Sequence, residues 1–361
     1  MKELILTNLG GPRNENEIEK FLMDLFTDPY LFDLPLPRFL QTQIGKIIAK
    51  KRTQKVKNLY ASLNYGGGSP IYQETIKQAK ALEEKLITKT GEEWKVSVKM
   101  ACGLPNLREL NFNKLDLGKQ HFILPLYPQF SRSTTLSTVK IFQEKLQICP
   151  VTNSNTTCKK DSCSGNCKDS SYQKRGWINP FYDQPKFIEV TTSLILDFFG
   201  NKLKQEDFIN LDTPPSYDWK QIPILFSAHG IPMRLVKKGD PYPQQVEKTK
   251  TLITKKLQEY GYMGETFVCY QSKVGPAKWT EPSTLEKLEE LGKKGYKNIA
   301  VYPISFVSEH LETLEEIGVQ LREHAYKHGI REYFRIPTLS IYPPFIDFLA
   351  ELVIQNTKLS F

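Results

Sequence analysis

Residues 303 to 317 read Pro303-Ile-Ser-Phe-Val-Ser-Glu-His-Leu-Glu-Thr-Leu-Glu-Glu-Ile317, directly after Asn298-Ile-Ala-Val-Tyr-Pro303, which has the apolar pattern of a buried strand. The run predicts a turn into a helix at Ser308, a good N-cap residue. Glu309 and Glu312 then fall near the helix start, where the helix dipole favours acids. On a helix Glu309, Glu312 and Glu316 stand at i, i+3 and i+7 and share one face. His310 sits beside that face. Neighbouring acids repel by about a few tenths of a kcal/mol per pair unless a cation or protons compensate. A solvated acidic face would give the same spacing. The position favours a site, because a strand-to-helix turn is where open α/β sheets bind ligands. A second histidine occupies the same kind of place, at the end of Pro223-Ile-Leu-Phe-Ser-Ala-His229-Gly-Ile-Pro232.

Outward from these turns, strands alternate with helices, which predicts parallel sheets covered on both faces. The chain has 361 residues, room for two such lobes. Leu4 to Leu9 predicts a strand, Gly10-Gly11-Pro12 a turn, and Glu15 to Phe26 a helix. This is neither a Gly-x-Gly-x-x-Gly nor a Walker A loop, so no nucleotide is implied. His121 to Tyr127 predicts a strand leading into Pro128 to Thr135, where Arg132 among hydroxyls would suit a carboxylate ligand; helix capping would also explain the hydroxyls. Helices are expected over 243–260, 283–294 and about 344–355, and a strand over Phe267 to Gln271. No sequence repeat is visible.

The formal net charge is +9, which points to an anionic partner. No nucleic-acid motif accompanies it. No secretory core and no run of roughly 18 apolar residues occurs, so a cytoplasmic protein that touches a membrane from outside is expected. Residues 30 to 57 carry apolar residues around Pro35 and Pro37, and then Leu36, Leu40, Ile44, Ile47 and Ile48 at helical spacing. From Arg38 to Lys57 there are seven Lys or Arg and no acid. That pattern reads as a membrane-surface helix or as a helix packed on its own core. Tyr65-Gly-Gly-Gly-Ser-Pro70 is a permissive loop. Residues 149 to 175 are polar and hold Cys149, Cys158, Cys163 and Cys167 at C-x8-C-x4-C-x3-C spacing. Four thiolates this close suffice for zinc or an iron–sulfur cluster. Disulfides or idle thiols are the other readings, and a reducing compartment disfavours disulfides. Cys102 and Cys269 read as ordinary buried thiols.

Asn8-Leu-Gly-Gly-Pro12, Gly66-Gly-Gly-Ser-Pro70, Tyr127-Pro-Gln-Phe-Ser131, Ser227-Ala-His-Gly-Ile-Pro232, Gly239-Asp-Pro-Tyr-Pro-Gln244, Gln271-Ser-Lys-Val-Gly-Pro276 and Ser305 to Ile317 together resemble the ferrochelatase family. The resemblance spans nearly the whole chain. It implies insertion of Fe²⁺ into protoporphyrin IX with release of two protons, a lyase reaction that completes haem synthesis. It also implies an α/β fold of two similar Rossmann-like lobes, each a parallel sheet flanked by helices, with the active-site cleft between them. The expected division is 1–180 for the first lobe, 181–338 for the second, and 339–361 for a helix packing back on the first. The first lobe would include a membrane-facing lip at 30–57 and the Cys-rich insertion at 149–175.

By resemblance, His229 and Glu312 are the catalytic and Fe²⁺-binding pair. Glu309, His310 and Glu316 continue a path for iron or protons. Leu9, Ser69, Arg132, Trp279 and Phe306 contact the porphyrin, and Lys50, Lys51, Arg52 and Ser69 are candidates for its propionates. Arg132 stands where some relatives have cysteine, and the propionate arginine of animal members has no counterpart in Met100-Ala-Cys-Gly103. Cys149, Cys158, Cys163 and Cys167 look like ligands of a [2Fe–2S] cluster. The partners implied are the porphyrin and the inner face of the cytoplasmic membrane; a homodimer is admissible, and nucleic acid is not expected. The chemistry agrees, because metallating a porphyrin removes two pyrrole protons, strips water from Fe²⁺ and bends a stiff ring. A neutral imidazole and nearby carboxylates are suited to those tasks. A coproporphyrin-using ferrochelatase and a bilobal haem or metal carrier without turnover are the rival readings.

Overall fold

The computed structural model of the chain describes residues 1–31, 36–63, 65–116, 120–146, 176–273 and 277–358. The chain divides into two compact units, Met1–Pro180 with Ile346–Phe361, and Phe181–Phe345. In the first unit β1 (Lys2–Asn8), β2 (Trp94–Met100) and β3 (His121–Pro125) form a parallel sheet in the order β2-β1-β3. β1 is central, and its Leu4, Ile5 and Leu6 are fully buried on alternating faces, which is why it reads as an unbroken apolar run. The helices described in this unit are α1 (Ile18–Thr27), α2 (Arg38–Ser62), α3 (Ile71–Thr90) and α4 (Thr135–Leu146). Residues 176–178 add to the outer edge of β3. The Ile123 N–H donates to the Gly176 carbonyl at 2.7 Å, and the Ile178 N–H donates to the Ile123 carbonyl at 2.9 Å.

The long helix α2 differs from its sequence reading in which face it buries. Gln41, Gly45, Ala49, Val56 and Tyr60 turn inward. A Cβ on Gly45 would stand 2.2 Å from the Phe26 carbonyl oxygen, so glycine is what lets α2 close on α1. Leu36, Phe39, Leu40 and Ile47 are instead exposed, Phe39 by 68%. At its closest approach to α1 the helix thus presents a glycine, not one of these large apolar side chains.

In the second unit β4 (Ile224–His229), β5 (Thr266–Gln271), β6 (Asn298–Pro303) and β7 (Glu332–Arg335) form a parallel sheet in the order β5-β4-β6-β7. The first strand is central, the second lies on one side and the third on the other, as in the first unit. Its helices are α5 (Pro185–Phe199), α6 (Met233–Lys237), α7 (Tyr242–Glu259) and α8 (Thr284–Lys293), then a π-helix (Glu312–Gln320) running straight into α9 (Leu321–Lys327). A reciprocal capping box between Ser283 and Glu286 starts α8. Leu225, Ile299 and Val301 of the sheet pack with Leu288 and Leu291 of α8 and with Ile317, Leu321 and Ala325. The last helix, α10 (Pro343–Lys358), belongs from Ile346 onward to the first unit. There its Asp347 and Glu351 pair with Lys85 and Lys89 of α3.

The helix expected from Ser308 begins later. Its cap position is Leu311. The reason is local: the His310 N–H is taken by the Thr313 hydroxyl at 3.0 Å, and Glu309 is held elsewhere. The strand β7 and the helix α5 were not anticipated. β7 has four residues, two aromatics between two charges, too short for a period to register.

Candidate active site

Because β5, β4 and β6 are adjacent and parallel, their carboxyl ends open at one edge of the second sheet. His229 is the last residue of β4. Two residues back on the same strand face, the Ser227 hydroxyl donates to Gln271 Oε1 of β5 at 2.6 Å. The Gln271 side-chain amide in turn donates to the Glu312 carbonyl at 3.4 Å. The strand ends and the start of the π-helix are therefore tied together through buried polar groups. Trp279 lies beside the turn after His229: its backbone bridges to Pro232, and a Cβ on Gly230 would stand 3.4 Å from its ring.

The His229 imidazole is half-buried, and burial holds its pKa below the ordinary value. The Glu312 charge pulls it upward and His310 pushes it down. The Phe306 ring stands edge-on to His229, with centroids 6.4 Å apart, and leans on His310 at 4.5 Å. His310 Nε2 lies 3.2 Å from Glu312 Oε2. Its Nδ1 is buried with no hydrogen-bond partner among the described residues.

Glu309 is not on the helix that carries Glu312 and Glu316, so the three do not form one helical face. Glu309 precedes the helix and is fully buried, with Oε1 2.8 Å from Arg335 Nη1 and accepting the Thr338 N–H at 3.0 Å. Thr313 donates to its other oxygen. Burial opposes ionisation of Glu309, but Arg335 and these donors outweigh it and its pKa is lowered. Arg335 is itself satisfied by the Ile209 and Asn210 carbonyls at 2.7 and 2.8 Å. Glu316 accepts both the N–H of Ser272, at 2.7 Å, and its hydroxyl. Burial raises the Glu316 pKa, the Ser272 hydrogen bonds pull it back, and the Glu312 charge adds to the rise. Ser272 reaches Glu316 from a left-handed backbone, φ +66°. The hydroxyl of Tyr242 donates to Ser305 at 2.8 Å and steadies the loop after β6.

In the first unit Leu9 directly follows β1, its carbonyl accepting the Cys102 N–H at 2.8 Å. Ser69 is buried, with its N–H on the Pro12 carbonyl at 2.7 Å and its hydroxyl accepting the Ile71 N–H at 3.4 Å. That hydroxyl thus serves the first turn of α3. Arg132 is half-buried after β3. Lys50 and Lys51 are exposed on α2, and Arg52 lies over the Phe26 ring at 5.6 Å. Cys102 and Cys269 are buried free thiols, as the sequence suggested, with burial pushing the Cys269 pKa up to about 12. Cys149, Cys158, Cys163 and Cys167 lie outside the described residues. Gln271, Ser272 and Arg335 were missed as site-forming residues. For Arg335 the signal was present: a cation closing an aromatic strand needs a buried acid.

A family model described as ferrochelatase matches residues 2–357. The chain belongs to the ferrochelatase family. The ferrochelatase of Leptospira borgpetersenii serovar Hardjo-bovis (strain JB197) is 47% identical over 99% of this chain and 92% of its own length. That of Aquifex aeolicus is 39% identical over 98% of both. Ferrochelatase-1, chloroplastic/mitochondrial, of Arabidopsis thaliana is 36% identical over 98% of this chain and 69% of its own. For a ferrochelatase the donor set is apt. A depressed imidazole that is neutral near pH 7 is a ready proton acceptor or metal ligand. A second imidazole and two carboxylates stand at the neighbouring strand ends.

Proposed function

We propose that the chain is a protoporphyrin ferrochelatase, which exchanges the two pyrrole protons of protoporphyrin IX for Fe²⁺, the metal being a substrate. The observation that carries this reading is the half-buried His229 with its lowered pKa, set beside the Phe306–His310–Glu312 cluster. Neutral His229 takes a pyrrole proton, and burial keeps the resulting imidazolium from resting there. The Glu312 carboxylate favours that transient charge. Glu316, with its raised pKa, is suited to take the proton onward. His229 and Glu312 would hold Fe²⁺ as it sheds water, with His310 beside them. Glu309 is committed to Arg335, so its contribution to the path is to anchor the turn that presents His310 and Glu312. Phe306 and Trp279 offer ring faces to the macrocycle. Leu9, Ser69, Arg132, Lys50, Lys51 and Arg52 remain our candidates for porphyrin and propionate contacts in the first unit.

Two further elements of the reading have their own support. The exposed Phe39, Leu40 and Ile47 on a basic helix, with exposed Leu36 just before it, suit peripheral contact with the cytoplasmic membrane face. The four-cysteine spacing suits a [2Fe–2S] cluster, which would supply electron storage or sensing apart from the metallation step. A brown protein with an EPR signal on reduction is expected, and a colourless zinc-containing preparation refutes the cluster.

The test is anaerobic incubation of the purified protein with Fe²⁺ and either protoporphyrin IX or coproporphyrin, followed by absorption spectra. Conversion of protoporphyrin is expected to be the faster. Substituting His229→Ala should lower insertion by about 10²-fold or more, the usual weight of general-base catalysis, with porphyrin binding largely retained. Undiminished insertion would refute the role of His229, and preference for coproporphyrin would refute the substrate.

A further inference from the structure

At the other end of the helix that carries Glu312 and Glu316 lies a second cluster of metal-binding side chains. α8 packs on α9 through Leu288, Leu291, Leu321 and Ala325. Glu289 of α8, His324 of α9 and His328 at its C-cap stand at the solvent edge of this seam. One ligand atom from each lies within 4.8 Å of the others. Glu289 Oε1 is 3.2 Å from His324 Nε2 and 3.8 Å from His328 Nε2. The two histidines are one helical turn apart, with ring centroids at 4.3 Å.

Three details favour a metal over a plain ion pair. His328 Nδ1 is 2.8 Å from the His324 carbonyl, which can only accept, so this nitrogen carries the proton. In the neutral ring that leaves the Nε2 lone pair facing the cluster, as the outer hydrogen bond of a metal-bound histidine does. His324 Nε2 is buried and makes no directed hydrogen bond among the described residues, despite lying 3.2 Å from the carboxylate. Finally, the seam is held close. A Cβ on Gly292 would stand 2.1 Å from the His328 carbonyl oxygen, so only glycine lets α8 approach the end of α9.

We propose that Glu289, His324 and His328 form a divalent transition-metal site of the Zn²⁺ class. Two imidazole nitrogens and one carboxylate oxygen suit zinc, cobalt or nickel and disfavour calcium and magnesium, which prefer oxygen alone. The remaining positions go to water. The site is distinct from the Fe²⁺ substrate site, since His324 stands eight positions along the helix from Glu316, on the order of 10 Å. Bound metal clamps α8 to α9 and stabilises the folded unit by mass action.

The test uses the full-length protein, titrated with Zn²⁺ against a chromophoric chelator to count bound equivalents. The double substitution His324→Gln with His328→Gln should remove one equivalent and abolish the part of the Zn²⁺-induced rise in Tm that belongs to this site. Its rate of Fe²⁺ insertion should be unchanged. The substitution Glu289→Gln, at a partly exposed position, supplies the same contrast should the double variant fold poorly, and is expected to weaken that equivalent by about tenfold or more. Diffraction at the zinc edge from Zn²⁺-soaked crystals should show a peak about 2.0–2.1 Å from both Nε2 atoms. An unchanged number of equivalents, or zinc peaks elsewhere and none at the triad, would overturn the proposal and leave an ordinary His–Glu ion pair.

Discussion

His229 is acted on in opposite senses by two neighbours, and that opposition can be measured. Burial lowers its pKa below the ordinary 6.5, Glu312 raises it and His310 lowers it further. The proton acceptor must be neutral, so the acid limb of the kcat/KM profile should fall below the ordinary imidazole range. Removing the negative charge with Glu312→Gln should move that limb to lower pH, and His310→Ala should move it to higher pH. Shifts of the same sign in both variants would mean that another group sets the limb. The Glu309–Arg335 pair makes a separate prediction about stability. Both side chains are almost wholly buried. Substituting Arg335→Met strands a buried carboxylate and should cost roughly 3–5 kcal/mol in urea unfolding. The sign with pH follows from the lowered pKa of Glu309. Its stabilisation is complete above the ordinary carboxylate pKa and is lost as pH falls through the lower folded-state value. The penalty of Arg335→Met should therefore shrink in acid. Arg335 itself signalled a buried acid, but that its partner is Glu309 was not legible, because β7 is too short for its pairing to be read from the sequence.

Among the elements, α2 and the π-helix depart most from their sequence patterns, each for a reason in the packing. The large apolar residues of α2 fall at helical spacing, which suggested a buried stripe or a lip. The close approach to α1 is instead made at Gly45, because the Phe26 backbone there leaves no room for a larger group. Replacing Phe39, Leu40 and Ile47 together by serine should weaken binding to anionic vesicles in a flotation assay. Each change should alter stability by only about 0.5 kcal/mol or less, as expected at exposed positions. Gly45→Ala should do the reverse, lowering stability by about 1–3 kcal/mol through overpacking. The π-helix shows the limit of i, i+3, i+7 reasoning, which assumes α geometry from Ser308 onward. Wider winding and a later start give Glu309, Glu312 and Glu316 three different partners. Such windings cluster at functional positions. The turns carrying His229 and Phe306 were legible because both end apolar strands.

For the molecule as a whole, the alternation of strands and helices foretold two parallel sheets, and their shared strand order was hidden only by the absence of sequence repetition. The excess of Lys and Arg, 49 against 40 acids, also acts at this scale. Charge-driven association with anionic vesicles should weaken as the Debye length contracts from about 10 Å at 0.1 M salt to about 3 Å at 1 M. Binding insensitive to salt would point to apolar insertion alone. The first unit takes its last helix, with Phe348, Leu349, Leu352 and Val353 buried, from beyond the entire second unit. At roughly 5–20 residues per second of translation, the ribosome needs on the order of ten seconds to cross the intervening span. During that interval the amino-terminal half waits incomplete, exposing an oily groove that chaperones would find, while the half made later is the first able to finish.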